Sequence, residues 1–270
     1  MTYSLSKSDG EQNFVYKFNN QPSGLGATRA NILRLLRSLD LVGWNTHEET
    51  GRIDRKAFTR FAVGSTAIFQ KRVHVEAEKS AVSVLIDCSG SMSSDGRIQT
   101  AEAFAIQLAR ILDKANVEYN VTGFHGSDNT LRLNKTGANI NETAVRYETP
   151  VFIPFKTWKD SLQKASAKLG SISKCAGGST PDYSSLSIII DELSQRDENR
   201  KIVFLVTDAE GYTRSHMKYL QSLADKLGIK IIAIGIGNTD LKSCFTNSED
   251  VRKVDDLASS SFNKLLKELQ

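Results

Sequence analysis

From Ser80 onward the apolar residues gather into short, nearly continuous runs separated by stretches of helical periodicity. Residues 81–86 (Ala-Val-Ser-Val-Leu-Ile), 202–206 and 229–236 are three such runs, the pattern of strands buried on both faces of a parallel sheet. Residues 117–124 form a fourth, less uniformly apolar. Between them, residues 97–114 repeat Ile98, Ala101, Phe104, Ala105, Leu108, Ile111 and Leu112 at helical spacing, and residues 181–195 do the same through Leu186, Ile189, Ile190 and Leu193. Helices over 214–227 and 259–269 complete the alternation. Strand, helix, strand at this spacing requires right-handed crossovers and predicts an α/β fold, a doubly wound, mostly parallel sheet flanked by helices. Residues 125–157 are less regular and predict a short edge hairpin around 130–133 and a strand over 151–155.

The first 79 residues read as a helical and extended extension to this 80–270 domain. Residues 13–18 (Asn-Phe-Val-Tyr-Lys-Phe) predict a strand or an extended segment. Residues 27–41 place Ile32, Leu35, Leu36 and Leu39 on one helical face, with Gly43 as a stop. A second helix is expected over 54–62, ended by Gly64. Residues 68–75 alternate as a strand, which we place as an added edge of the main sheet, with the helices covering a face. Arg52, Lys56 and Arg60 fall at i, i+4 and i+8, a basic stripe that is either a solvated face or a docking surface for an acidic partner.

Composition narrows the class. The chain of 270 residues is 40 % hydrophobic and 24 % charged, the balance of a globular domain able to bury a sizeable core. No apolar stretch approaches the roughly 20 residues of a membrane-spanning helix, and the first residues lack the apolar run of a secretory signal. A net charge of +4 is too mild to call for nucleic acid. Three widely spaced cysteines, with no CxxC pair, fit a reduced compartment rather than a disulfide framework or a zinc knuckle. A cytoplasmic protein is expected.

The candidate chemistry lies where the first buried strand ends, in Asp87-Cys88-Ser89-Gly90-Ser91-Met92. Three oxygen-bearing side chains alternate through an extended loop and so converge, at the sheet edge where doubly wound folds bind ligands. Gly90 lets the backbone pass close beneath them. A carboxylate with two hydroxyls suits a hard cation such as Mg²⁺ rather than zinc. Two further oxygen donors fall at the same edge: Thr180 in Gly177-Gly-Ser-Thr-Pro-Asp182, and Asp208 in Val206-Thr-Asp-Ala-Glu-Gly211. By itself Thr180 also reads as a helix N-cap ahead of Pro181. Ser179 is the alternative donor in that loop. Glu210 reads either as a solvated turn residue or as an outer partner, Cys88 as a small core residue, and His125 as an incidental loop histidine.

Asp-x-Ser-x-Ser with a later Thr and a later Asp resembles the metal-ion-dependent adhesion site of von Willebrand factor A domains, over about residues 80–270. The resemblance implies a Rossmann-like fold in which Ser89, Ser91 and Thr180 bind Mg²⁺ (or Mn²⁺ or Ca²⁺), with Asp87 and Asp208 bound directly or through water. Because most of these donors are neutral, the ion keeps much of its charge, and a position left to water can accept a Glu or Asp of a protein partner. Residues 51–60, residues 68–72, Val121-Thr-Gly-Phe-His125 and Phe152-Ile-Pro-Phe-Lys-Thr-Trp158 are similar to CobT-type proteins, subunits of the aerobic cobaltochelatase with relatives beside MoxR-type ATPases and in bacteriophages. The acidic low-complexity stretch of cellular CobT subunits is missing from this sequence, so an AAA+ ATPase of CobS or MoxR type is a firmer expectation than cobalt insertion. The chain carries no GxxxxGK[ST] loop, so ATP chemistry belongs to the partner. No catalytic residue is assigned.

Two other functions compete. An Asp after a parallel strand with a metal also suits a phosphotransferase or phosphatase using Asp87, but the acid/base position two residues on is Ser89. Ro-type ribonucleoproteins pair a similar domain with a helical ring, for which the 79-residue prelude is too short.

Overall fold

Every residue of β4 (Ser80–Asp87) is buried, so its side chains face protein on both sides of a sheet. Val82, Val84 and Ile86 enter one apolar layer, and Ala81 and Leu85 enter the other, the two-residue period of a strand sandwiched between helices. The computed structural model describes residues 7–20, 25–36, 42–54, 57, 59, 61, 64, 66–74, 79–126, 149–210, 213–237, 239–252 and 256. The chain divides into two compact units, one of Met1–Leu36 with Ser80–Gln270 and one of Arg37–Lys79.

In the larger unit six strands run in the order β6-β5-β4-β7-β8-β9, with β5 (Glu118–Gly126), β6 (Pro150–Lys156), β7 (Arg200–Thr207), β8 (Ile229–Ile236) and β9 (Ser248–Val251). All neighbours pair in parallel except β5 and β6. Helix α3 (Arg97–Lys114) packs on one face through Phe104, Ala105, Leu108 and Leu112. Helices α5 (Asp182–Ser194) and α6 (Arg214–Lys226) cover the other through Leu186, Ile190, Met217 and Leu220. Chain order reverses between β4 and β7, and the carboxyl ends of those two strands flank the switch point. The expected doubly wound α/β fold is the one observed. A short helix α4 (Leu162–Leu169) and the edge strand β9 were not foreseen; the hairpin expected at 130–133 and the helix at 259–269 lie outside the described residues.

Residues 13–18 correct the sequence reading: they are helical, within α1 (Lys7–Asn19). Gly10, Phe14 and Phe18 recur every four residues, so the helix puts them on one face, with the Phe14 and Phe18 rings stacked 5.3 Å apart, while Val15 and Tyr16 are exposed. A strand would have put Tyr16 on the same face as those two rings; the helix instead turns it away from them. Helix α1 and α2 (Leu25–Leu36) belong to the larger unit. Gly10 lies against α4 so closely that a Cβ on Gly170 would stand 2.0 Å from the Gly10 carbonyl oxygen. Gly170→Ala is therefore expected to lose about 1–3 kcal/mol or more as the helices are forced apart, read as a lowered midpoint in urea.

The smaller unit holds a three-stranded antiparallel sheet of order β1-β3-β2, with β1 (Val42–Glu48), β2 (Arg52–Ile53) and β3 (Phe69–His74). Two expectations fail here. The strand predicted over 68–75 pairs with β1 and β2 and is the centre of its own sheet, not an edge of the main one. Arg52 lies in β2, paired with Gln70, so it shares no helical face with Lys56 and Arg60, which lie outside the described residues. The cause is Gly51, at φ +133°, which turns the chain back onto β3 where only glycine fits, since its Cβ would meet the Gln70 carbonyl oxygen at 2.7 Å.

Candidate functional site at the carboxyl edge of the sheet

Asp87 ends β4 and is wholly buried. One carboxylate oxygen accepts the Ser89 backbone N–H at 2.8 Å and the other accepts the Thr207 hydroxyl at 2.8 Å. Burial is the largest influence on its carboxyl, pushing it up to about 6 against the lowering by these hydrogen bonds, and the negative charge of Asp208 adds to the rise. Ser89 is buried as well, and its hydroxyl lies 3.1 Å from that of Ser91. Met92, fully buried, anchors the loop that carries them.

The loop before α5 is stitched to this one by backbone bonds. Gly90 N–H donates to Gly178 O at 2.9 Å and Gly177 N–H to Cys88 O at 2.8 Å, while at the end of β5 Gly126 N–H donates to Ser179 O at 2.7 Å. Gly178, at φ +73°, cannot be replaced without collision, because a Cβ there would stand 2.3 Å from Gly126 O. Thr180 therefore sits, half-buried, in the loop leading into α5 that is bonded to the loop of Ser89 and Ser91. It does not cap α5: Pro181 holds the cap position without a side-chain bond, so the capping alternative is set aside.

At the end of β7, Thr207 both donates to Asp87 and accepts the Ala209 N–H at 3.0 Å. Ala209 takes the left-handed conformation, φ +57°, which is uncommon for a residue with a Cβ and turns the chain so that Glu210 N–H donates to Asp208 at 3.1 Å. The buried Asp208 also accepts a hydrogen bond from Arg97, the first residue of α3, at 2.9 Å; the same guanidinium nitrogen donates to Glu210 at 2.6 Å. Those two carboxylates hold the guanidinium more firmly protonated than an ordinary arginine.

Asp87, Ser89 and Ser91 are thus brought together, Asp208 joins them through Thr207 and the β4–β7 pairing, and Thr180 through the backbone of its loop. Sequence reasoning missed Thr207 and Arg97. Thr207 was legible as the last residue of the strand that leads to Asp208, beside the end of β4. Arg97 had only the signal of being the first basic residue after the Asp-x-Ser-x-Ser loop. His125 contacts its own neighbour's carbonyl, Gly126 O, at 3.0 Å.

The oxygen set fits a hard divalent ion. Adjacent oxygens around an octahedral ion with bonds of ~2.0–2.1 Å stand roughly 2.9 Å apart, close to the 3.1 Å between the two serine hydroxyls. Among the described residues no three of His, Cys, Asp and Glu gather to hold a metal, so a zinc site of nitrogen and sulfur ligands is not built here. The three cysteines are buried free thiols. Among the described residues no helix is long and apolar enough to cross a membrane.

Residues 68–269, three quarters of the chain, match the model of the family described as the VWA domain of the cobalamin biosynthesis protein CobT. No curated protein sequence matches. Among solved structures, the pilus adhesin SpaC from Lactobacillus rhamnosus GG resembles the chain with a TM-score of 0.50 at 13 % identity, over 72 % of this chain and 31 % of that one. Proximal thread matrix protein 1 from the mussel byssus gives 0.49 at 18 %, over 71 % and 47 %, and the manganese-loaded TRAP protein of Plasmodium vivax 0.49 at 12 %, over 71 % and 73 %. The chain thus spans less than half of the first two, and at 13 % identity the likeness to SpaC is one of fold alone.

Proposed function

The chain belongs to the family of CobT VWA domains, and from that membership together with the sheet-edge geometry we propose that it is a divalent-metal-dependent protein-interaction subunit. Asp87, Ser89, Ser91, Thr180 and Asp208 hold Mg²⁺, or Mn²⁺ or Ca²⁺ in its place. Bound there, the ion supplies a Lewis-acidic position for a carboxylate from another protein. The observation that carries the reading is the 3.1 Å separation of the Ser89 and Ser91 hydroxyls beside the buried carboxylates of Asp87 and Asp208. Ser89 and Ser91 contribute neutral oxygens, leaving the ion electron-poor. Thr207 and the Ser89 N–H fix the Asp87 carboxylate, so it does not reorient when a ligand arrives. An AAA+ ATPase of CobS or MoxR type is the partner, with hydrolysis in its ring and client engagement here, in a chelatase-type or protein-remodelling activity.

Phosphoryl transfer from Asp87 is the weaker reading. Its carboxylate is wholly buried and both oxygens are engaged, whereas a nucleophile must reach a phosphorus in line. The experiment is retention of a purified CobS/MoxR-type ATPase on the immobilised full chain. Retention is expected in Mg²⁺, lost in EDTA and weakened at least about tenfold by Ser91→Ala. Retention indifferent to EDTA overturns the proposal.

A further inference from the structure

One guanidinium nitrogen of Arg97 is shared between a buried carboxylate and an exposed one. It lies 2.9 Å from Asp208, whose side chain is 1 % exposed, and 2.6 Å from Glu210, whose side chain is 57 % exposed. Asp95 contributes a longer contact, 3.8 Å, from the other terminal nitrogen. We infer that Arg97 is a built-in counter-cation that holds Asp208 until a divalent ion binds and then rests on Glu210, so that Arg97 and Glu210 together set the metal affinity. This rests on the metal-site reading above.

The argument is one of charge and geometry. Asp208 is buried, and a buried carboxylate without a compensating cation is costly. In the structure that compensation comes from Arg97, whose positive charge lies in direct contact with an oxygen that a metal would need. A second cation entering beside it is repelled, and the repulsion is strong where water is excluded. Arg97 would otherwise have to lose its partner when Asp208 turned to the ion. Glu210 removes that cost: it already accepts from the same nitrogen, and its backbone N–H holds the other Asp208 oxygen at 3.1 Å, so the two carboxylates are kept side by side. The left-handed Ala209 is what brings them together. A residue that merely oriented Asp208 needs no exposed second acceptor; an arginine that changes partners does.

The test is calorimetric titration of Mn²⁺ alone into the full chain, with circular dichroism of every variant. Arg97→Gln is expected to tighten Mn²⁺ binding at least about tenfold. Glu210→Gln, an exposed position that leaves the fold intact, is expected to weaken it about threefold, because Arg97 then keeps Asp208 as its close carboxylate, with Asp95 only at 3.8 Å. In the Arg97→Gln background Glu210→Gln is expected to have no such effect, since its influence passes through Arg97. Arg97→Lys, which keeps the charge, is expected to stay near the wild-type affinity. Weaker or unchanged binding by Arg97→Gln overturns the inference, as does a Glu210→Gln effect that persists without Arg97. A wild-type chain that takes up no Mn²⁺ refutes the metal site itself, a failure distinct from either of those.

Discussion

Asp87→Asn is expected to abolish metal binding while making the metal-free protein more stable. The wild-type carboxyl, lifted by burial from 3.8 to about 6, binds its proton more tightly in the folded chain than in the unfolded one. Between those two pH values the native state therefore holds more protons than the unfolded state, and stability falls as pH rises. Below about pH 4 the group makes no demand. Above about pH 6 the ionised carboxylate stands buried at a cost on the order of 3 kcal/mol. Asparagine keeps the shape, accepts the Ser89 N–H and donates to the Thr207 hydroxyl, so it avoids that cost without opening a cavity. The expected result is a metal-free Asp87→Asn protein whose urea midpoint no longer declines between pH 4 and 6 and exceeds wild type at pH 8. Its Mn²⁺ affinity should fall by more than the roughly 10–100-fold that follows loss of an outer partner. A variant no more stable than wild type at pH 8, with metal withheld by EDTA, would show that the buried carboxylate is compensated by some other group.

That opposition explains why a fully buried acid persists at the end of the central strand. An apolar or amide residue would serve the sheet better, and the departure from a stable choice marks the place where something other than folding is served. The rest of β4 makes the contrast plain, for its apolar residues alternate between two packed layers and do nothing but fill them.

How far the chain could be read from its residues depended on whether a signal was local. The strands at 81–86, 202–206 and 229–236 were legible because parallel strands buried on both faces concentrate apolar residues in short runs, and α3 because seven apolar positions repeat at one period. Asp87, Ser89 and Ser91 were legible because loop alternation alone aims them together. Helix α1 was not, since Phe14, Val15, Tyr16 and Phe18 satisfy a strand and a helix equally until Gly10 and the docking against α4 are known. Strands β1 and β2 were missed for a different reason: two residues of β2 carry no periodicity, and their pairing depends on a turn at Gly51. Glu210 was legible as a possible outer partner, but its pairing with Arg97 was beyond sequence reading, because 113 positions separate them and only the fold of Asp208's turn brings their side chains together.

Glu102→Ala is expected to release the N-terminal helix and to cost about 3–5 kcal/mol, the range for breaking a buried ionic cluster by removing one partner. Glu102 lies on α3, five residues beyond Arg97, and is wholly buried. Its carboxylate accepts from Asn13 at 3.1 Å, from the Lys17 ammonium, and from the Ser173 backbone N–H at 3.1 Å and hydroxyl at 3.2 Å. Two of these donors lie on α1 and the other follows α4, so one side chain ties both to α3. Gln107 and Arg110, donating to the carbonyls of Lys17 and Phe18 at 2.6 and 2.7 Å, hold the end of α1 to the same helix, and Arg110 lies over the Phe18 ring at 4.4 Å. Alanine leaves the Lys17 charge and the Ser173 N–H without an acceptor in a tightly packed seam, where the loss of solvation is not returned. Lys17→Met alone should be about as damaging, because it strands the carboxylate. Lys17→Met combined with Glu102→Gln should recover much of the stability, since the amide can still accept from Ser173 and no charge remains buried. Limited proteolysis should cut the Glu102→Ala protein within α1 while leaving α3 and the sheet protected. Equal protection of α1 in wild type and Glu102→Ala would mean that the apolar contacts of Phe14 and the close approach of Gly10 to Gly170 hold the helix by themselves.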